Sequence, residues 1–185
     1  MQTKQWIADL KMSGTLRSAA FSSDGTRVLT SGSEGRVHIW DLRQRSCMHA
    51  FVDEGCIRST SLALSPNDEY VACGSNSGVV NLYDGACMRD ATPTPIKAIM
   101  NLTTSIKTLR FNSDSTILAM ASEEKRDAMR LVHLPSRSVF SNWPTAGTPL
   151  HYLTALDFSA HSGYLALGND RGNALLYRLN HFKAA

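Results

Sequence analysis

The sequence predicts an all-β fold in which four consecutive repeats of short antiparallel strands form an open, incomplete β-propeller. The first observation behind this prediction is an aromatic or Leu residue that ends a strand and recurs after 43, 47 and 47 residues. The recurring residues are Phe21, Leu64, Phe111 and Phe158. A turn built from Ser, Ala, Asn, Asp, Pro or Gly follows each of them. Repeats of about 40–45 residues with four strands each are typical of propeller blades.

The second observation is the strand pair in the later half of each repeat. In the first repeat, two strands flank a tight turn at Gly35, and the second strand ends in the pair Trp40-Asp41 that names the WD-repeat family. Gly78 and Gly172 hold the matching turns of the second and fourth repeats, where a positive φ suits glycine. The predicted fold is therefore a WD-repeat propeller.

The repeats divide the chain into predicted segments. Gln5 to Lys11 is predicted to be the outer strand of a preceding blade that is absent, because WD sequence repeats are offset from blades. Other outer strands are predicted over 47–52, 95–102 and 139–143. The segments are 1–15 with the outer strand of the missing blade, 16–56 and 57–105 as WD repeats, 106–152 as a degenerate WD repeat, and 153–185 as a partial last repeat.

The third repeat departs from the pattern at its central turn. Residues Ser122 to Ala128 form a longer, charged connection without glycine. A solvated hairpin explains this composition, and a contact with a partner is the functional alternative, because long hairpins carry function more often than short ones.

Aromatic residues share one position on the third strand of three repeats. Trp40, Tyr83 and Tyr177 occupy it, and we predict that they pack between blades and do not form a platform for stacking bases. WD-repeat proteins often link this Trp to a Ser or Thr, a His and an Asp through hydrogen bonds. Ser31 and Trp40 match that chain, but the Gly-His element is missing, so the network is predicted to be partial.

The sequence offers no arrangement of residues suited to catalysis, cofactor binding or metal binding. There is no GxSxG, HExxH, P-loop or GxGxxG motif, and the histidines are scattered. His133 stands where the first repeat has Asp41, and Asp41 and Asp84 are predicted to make structural turn contacts. We therefore predict no catalytic, cofactor-binding or metal-binding residues and no enzyme.

The cysteines do not indicate a zinc site, and the net charge does not indicate a particular partner. Cys47, Cys56, Cys73 and Cys87 lack the spacing of zinc ligands and are predicted to be free thiols in a reducing compartment. The formal net charge of +3 does not establish a nucleic-acid partner. No run of 18 apolar residues predicts a membrane span.

Two basic residues follow the Trp-Asp pair on a turn. Arg43 and Arg45 are candidates for contact with phosphate or an acidic partner, and a solvated turn is the alternative.

Several strings outside the WD consensus carry a more specific resemblance. They are 51–55, 71–81, 95–102, 130–136, 139–142 and 162–169. Across almost the whole chain they resemble the C-terminal half-propeller of the U3 small nucleolar RNA-associated WD-repeat protein 18 family.

The resemblance implies a non-catalytic scaffold of the small-subunit processome in the nucleolus and nucleus, acting in pre-rRNA processing and 18S rRNA maturation. Implied partners are other processome proteins, including WD-repeat proteins, with U3 small nucleolar RNA and pre-rRNA in the particle. No membrane partner and no cofactor are implied. On this resemblance, the family's N-terminal extension and early blades are expected to be missing here. A generic WD-repeat adaptor, in ubiquitin ligation or signalling, and a direct RNA-binding protein are the alternatives.

Four blades do not close a ring, so we expect the chain to be a fragment, an alternative product or a partial gene model that lacks blades before Met1. Open strand edges and apolar blade faces would then be exposed. Expressed alone, the chain is expected to aggregate or to stay poorly folded. A sharp, reversible thermal transition of monomeric material would contradict this expectation.

Overall fold

The computed structural model describes residues 6–145 and 147–180, and within them the chain forms four antiparallel sheets. The first sheet contains β1 (Leu16–Phe21), β2 (Arg27–Gly32), β3 (Arg36–Asp41) and β4 (Ser46–Val52). The second contains β5 (Ser59–Leu64), β6 (Tyr70–Ser75), β7 (Val80–Asp84) and β8 (Lys97–Ile99), with a 3-10 helix, Gly85–Met88, before β8. The third contains β9 (Thr108–Phe111), β10 (Ile117–Ala121), β11 (Met129–His133) and β12 (Ser138–Val139). The fourth contains β13 (Leu153–Phe158), β14 (Tyr164–Asn169) and β15 (Ala174–Arg178).

Each sheet is one blade, because its strands pair in the order in which they follow along the chain. The first strands of successive blades lie side by side, so the blades fan out from a shared inner edge. No sheet of the described residues closes into a barrel. The prediction of an all-β, open WD-type propeller is confirmed.

Glycine is required at the tight turns for two separate reasons. Gly35 and Gly78 have φ values of +68° and +87°, as the sequence predicts. The space beside them is also occupied. A Cβ on Gly35 would lie 2.5 Å from the carbonyl oxygen of Cys56, and one on Gly78 would lie 2.5 Å from that of Leu102. Each turn therefore packs against the loop that leads into the following blade.

Three apolar clusters hold the blades together, one at each junction between neighbours. Successive residues of a strand point to opposite faces, so every inner blade supplies one set of side chains to each neighbour. The first junction buries Leu29, Ile39, Phe51, Leu62, Val71 and Tyr83. The second buries Leu82, Ile99, Leu109, Leu118, Met120 and Val132. The third buries Ala119, Met129, Leu131, Leu156, Leu165 and Leu167.

At the two ends of the arc, part of the outward-facing surface is exposed. Leu64, Phe111 and Phe158 each pack on the cluster between their own blade and the preceding one. Phe21 holds the same repeat position but is 68% exposed, since no blade among the described residues packs on it, whereas Val28 and Trp40 on the same face of the sheet are buried. At the other end, Leu176 of β15 is also 68% exposed.

Some predicted outer strands differ from the structure. β8 and β12 are much shorter than the segments 95–102 and 139–143. An outermost strand has a neighbour on one side only, and Pro95 has no N–H to donate. The strand predicted over Gln5 to Lys11 is not formed in its described part, since residues 6–11 have no strand alongside them to pair with. Gln5 itself lies outside the described residues.

The repeat-equivalent aromatic residues allow a matched test of the open face. Phe21→Ser should reduce aggregation of the chain and change the free energy of unfolding by no more than about 0.5 kcal/mol, because the ring is exposed. Phe158→Ser should cost about 2 kcal/mol or more, since it removes packing from the third junction. Light scattering and urea unfolding at low protein concentration measure the two effects. Equal destabilisation by both changes would contradict the assignment of the open face.

Candidate functional site

The aromatic residues at the shared third-strand position are used in packing. Tyr83 is fully buried, and its ring centroid lies 5.2 Å from that of Phe51 in the neighbouring blade. Tyr177 lies edge-on to Trp143 at 5.0 Å and packs on the third junction. Trp40 is 5% exposed. The predicted packing between blades is confirmed for Tyr83 and Tyr177. Trp40 is buried on the face of the first blade that points away from the second, and it lies in none of the three junction clusters.

The partner of Trp40 differs from the one that the sequence predicted. Its Nε1 donates a hydrogen bond of 2.8 Å to the Oγ1 of Thr30. The hydroxyl of Ser31 is buried and has no partner among the described residues. The reason is strand alternation: Trp40 pairs across the sheet with Val28, so Thr30 lies on its face and Ser31 on the opposite one. The assignment to Ser31 was wrong by one residue.

A pair of substitutions separates the two candidate partners. Thr30→Val leaves a buried indole N–H unpaired and should cost about 1–3 kcal/mol. Ser31→Ala breaks no hydrogen bond and should cost clearly less. Urea unfolding followed by tryptophan fluorescence compares them. If Ser31→Ala proved the more damaging change, the hydrogen bond to Thr30 would not be the one that stabilises the blade.

A buried polar network that the sequence did not predict lies between the first and second blades. Asp53, in the loop between β4 and β5, is only 1% exposed. Its Oδ1 accepts hydrogen bonds from the Tyr83 hydroxyl at 2.7 Å and from Asn81 at 2.8 Å. The Tyr83 oxygen in turn accepts from the backbone N–H of Glu54 at 3.0 Å. The network ties the outer part of one blade to the third strand of the next.

Burial governs the acid–base properties of this network. Desolvation raises the pKa of Asp53 above its usual value, and the hydrogen bonds from Asn81 and Tyr83 oppose that shift. Desolvation, followed by the nearby Asp53 carboxyl, raises the pKa of Tyr83. Because folding raises the pKa of Asp53, its contribution to stability is fully present below the unfolded pKa. That contribution is lost as the pH rises through the folded pKa.

The charge on Asp53 should therefore set part of the pH dependence of stability. We expect the free energy of unfolding to fall as the pH rises above about 4, the pKa of an unfolded Asp. Asp53→Asn keeps an acceptor but cannot ionise, so its stability should change less over the same range. Asp157→Asn, at an exposed position of the inner strand β13, changes the net charge equally and serves as the control. Urea midpoints at a series of pH values test the prediction, which fails if Asp53→Asn and Asp157→Asn have the same profile.

The turn that bears Arg43 and Arg45 is held from within and leaves both side chains exposed. Asp41 Oδ1 accepts hydrogen bonds from the backbone N–H groups of Arg43 at 2.7 Å and Gln44 at 3.0 Å. Asp84 similarly accepts from the N–H of Ala86 at 3.1 Å. The predicted structural role of Asp41 and Asp84 in turns is confirmed.

His133 takes over this turn role in the third blade. Its Nδ1 lies 2.7 Å from the Ser136 hydroxyl, and its ring meets Phe140 edge-on at 6.1 Å. His133 thus occupies the repeat position that Asp41 occupies in the first blade, and it stabilises the turn there.

The long hairpin of the third repeat is exposed along 124–127 but anchored at both sides. The carboxylate of Asp127 accepts hydrogen bonds from the backbone N–H groups of Leu150 and His151, both at 2.8 Å. On the other side, Glu123 forms a salt bridge of 3.1 Å with Lys107. The hairpin therefore spans the loops that lead into the third and fourth blades.

Basic side chains converge where the inner strands begin. Arg17 of β1, Arg58 before β5 and Lys107 before β9 line one depression of about 640 Å³. Glu123 and Glu124 form part of its wall. The sequence does not indicate that these residues meet, because the innermost strands of different blades lie far apart along the chain.

The thiols are free, and their surroundings differ. Cys73 and Cys87 are buried, Cys56 is half-buried and Cys47 is exposed. Desolvation by burial raises the pKa of the Cys56 and Cys87 thiols to about 12. These two thiols stay protonated near neutral pH and are poor nucleophiles or metal ligands.

Residues 6–145 and 147–180 contain neither a candidate metal site nor a candidate membrane-spanning helix. No cluster of three or more His, Cys, Asp or Glu side chains there is arranged to hold a metal ion. In the same part of the chain no helix has the length and apolar character needed to cross a membrane.

Comparison with known proteins agrees with this architecture. The family model described as WD domain, G-beta repeat matches residues 7–41 and 46–84, which include most of the first two blades. With its four antiparallel sheets, the chain is a WD-repeat protein.

Individual relatives identify a more specific family within the WD-repeat proteins. The chain is 48% identical over 184 residues to the Homo sapiens protein named U3 small nucleolar RNA-associated protein 18 homolog, a match covering 98% of the chain and 33% of that protein. The Arabidopsis thaliana homolog is 45% identical, covering 100% of the chain and 34% of its own length. U3 small nucleolar RNA-associated protein 18 of Saccharomyces cerevisiae is 53% identical over 116 residues, covering 62% of the chain and 20% of its own length.

The chain belongs to the U3 small nucleolar RNA-associated protein 18 family, and the resemblance seen in its repeats is confirmed. It spans about a third of the length of the human and Arabidopsis relatives.

Proposed function

We propose that this chain acts as a non-catalytic scaffold of the small-subunit processome, supporting pre-rRNA processing and 18S rRNA maturation in the nucleolus. The observation that carries the proposal is the 48% identity, over nearly the whole chain, to a relative whose name associates it with U3 small nucleolar RNA. Under this proposal the partners are other processome proteins, including WD-repeat proteins. U3 small nucleolar RNA and pre-rRNA are present in the same particle.

The hydrogen bonds of the carboxylate side chains support the proposal of a scaffold role. Asp41 and Asp84 close turns, Asp53 joins two blades, and Asp127 anchors a hairpin. Each of these carboxylates accepts hydrogen bonds from the protein itself, which favours a structural role over general acid or base catalysis. What remains for partners is the outer surface of the blades, with its exposed turns and the depression at the inner edge.

Affinity purification of the tagged chain tests the processome proposal. We expect pre-rRNA, U3 small nucleolar RNA and nucleolar proteins to be recovered with the tagged chain, and the chain to localise to nucleoli. A tagged WD-repeat chain of similar length from an unrelated family is the control. Recovery of ubiquitin-ligase or signalling components without pre-rRNA would overturn the proposal and favour a generic WD-repeat adaptor.

Direct contact with RNA is the second candidate, and the exposed turn at Arg43 and Arg45 favours it. The backbone of that turn is held by Asp41, and the side chains of Arg43 and Arg45 are exposed to solvent. Guanidinium groups bind phosphate oxygens through paired hydrogen bonds.

Charge reversals at this turn and at the corresponding turn of the third blade test this contact. Arg43→Glu with Arg45→Glu should reduce ultraviolet crosslinking of the chain to RNA severalfold, because it replaces attraction to phosphate by repulsion. Arg137→Glu is the control, since Arg137 lies in the corresponding turn of the third blade and, like Arg45, has a positive φ. Unchanged crosslinking of the double variant would exclude these residues as the RNA contact.

A further inference from the structure

We propose that two copies of this chain join head to tail, and that residues 6–11 of each copy add a fourth strand to the last blade of the other. Among the described residues the last blade contains three strands, β13, β14 and β15, whereas each of the other blades contains four. The segment 6–11 has no described strand alongside it in its own copy. Each copy thus has a blade with a free outer edge and an extended segment without a sheet.

The chain holds this segment where the outer strand of a preceding blade would enter. Within the chain, each outer strand continues through a loop into the innermost strand of the next blade, as β4 does into β5. The carbonyl oxygens of the residues just before β1, β5 and β13 each accept a hydrogen bond from the residue that follows the second strand of the same blade. The acceptors are Thr15, Arg58 and Tyr152, at 2.9, 3.0 and 3.0 Å. The chain before β1 therefore enters its blade in the same way as the loops that follow an outer strand.

The family comparison and the exposure of the segment agree with this assignment. The second match to the WD domain model, 46–84, begins at Ser46, where β4 begins, and the first begins at residue 7. Trp6 and Ile7 are 76% and 67% exposed, which leaves large apolar side chains in water on an unpaired segment. Pairing with a sheet edge would satisfy the backbone of the segment and cover these side chains.

The last blade offers an edge that such a strand would fit. β15 pairs with β14 and with no other described strand. The N–H of Leu179 donates to Gly163 across from β15, and bonds to one neighbour alternate along an antiparallel strand, so the N–H of Leu176 points to the free edge. The side chain of Leu176 is 68% exposed. A depression of about 390 Å³, whose lining includes Trp143 and Tyr177, lies beside this edge. An added strand would extend the sheet and cover apolar surface.

A second copy is the occupant that these features fit, because the free segment and the free edge belong to the same chain. When two copies meet head to tail, each segment and each edge is used once. Two copies of four blades close into one ring, and propellers of about 4–8 blades are known. A closed arrangement stops at two copies, whereas a head-to-tail contact that does not close continues into a filament. The contact would also cover Phe21, because the residues at its repeat position in the other blades all pack on a junction with a preceding blade.

The first experiment measures the mass of the full 185-residue chain by light scattering over a range of concentrations. We expect twice the mass of one chain. Leu176→Pro removes an N–H from the free edge without removing a bond to β14, and should raise the dissociation constant of the dimer about tenfold or more. Val52→Pro is the matched control. Val52 is 56% exposed, and since the N–H of Asp53 donates to Gly35, the N–H of Val52 faces the outer edge of β4, where the proposal adds no strand.

A cross-linking experiment tests the contact without a proline. One chain carries Ile7→Cys and a larger tag, the other carries Leu176→Cys, and both carry Cys47→Ser because Cys47 is an exposed thiol. A short bis-maleimide should join the two chains into a product of their summed mass. Since each chain has one introduced thiol, this product reports a contact between copies. Ile7 and Leu176 are exposed, so the changes should leave the fold intact. Ile7→Cys mixed with Val52→Cys is the control pair and should give little product.

The proposal is overturned by a chain that stays monomeric at every concentration, by oligomers that grow without limit, or by equal weakening of the dimer by the two proline changes. Equal cross-linking of the two cysteine pairs would also overturn it. None of these outcomes depends on whether the chain enters the processome, so this test and the purification test fail independently.

Discussion

The packing of each blade against its neighbours is the constraint on which this molecule depends. A single sheet of three or four short strands has two faces and cannot bury both by itself. In the two central blades, side chains from alternate positions enter a cluster on each side, as Leu118 and Ala119 of β10 do. Stability is therefore shared between neighbours, and a blade without a neighbour leaves apolar surface exposed.

Hydrogen bonds between loop residues also join neighbouring blades. The Asp53 network joins the first blade to the second, and Asp127 joins the third to the loop before the fourth. Ser23 donates to Asp68 across the first junction, and Asn112 donates to Ser162 across the third. Because each of these bonds links residues about 23 to 50 positions apart, they fix the orientation of one blade relative to the next.

Packing residues and surface residues occupy separate parts of this molecule. The faces of the central blades are committed to packing, so the groups available to partners are those at turns and strand ends. Arg43 and Arg45 lie on an outer turn, whereas Arg17 and Arg58 lie at the inner edge. A protein built this way can contact several partners at separate places, as the proposed scaffold role requires.

The sequence by itself determined the fold class, the number of repeats and the packing of Tyr83 and Tyr177 between blades. Those features depend on local periodicity: a strand, a turn with glycine and an aromatic residue recur at a fixed spacing. It also identified the turn roles of Asp41 and Asp84, since their hydrogen-bond partners lie two or three residues away.

Only the tertiary structure decided which residues meet across blades. The face of the strand selects Thr30 over Ser31 as the partner of Trp40, and a one-residue shift in register reverses that choice. The burial of Asp53 depends on Tyr83, which is 30 residues away. The convergence of Arg17, Arg58 and Lys107 arises because the inner strands of separate repeats begin at a common edge. Contacts of this kind depend on how the blades pack, which a repeat pattern along one chain does not specify.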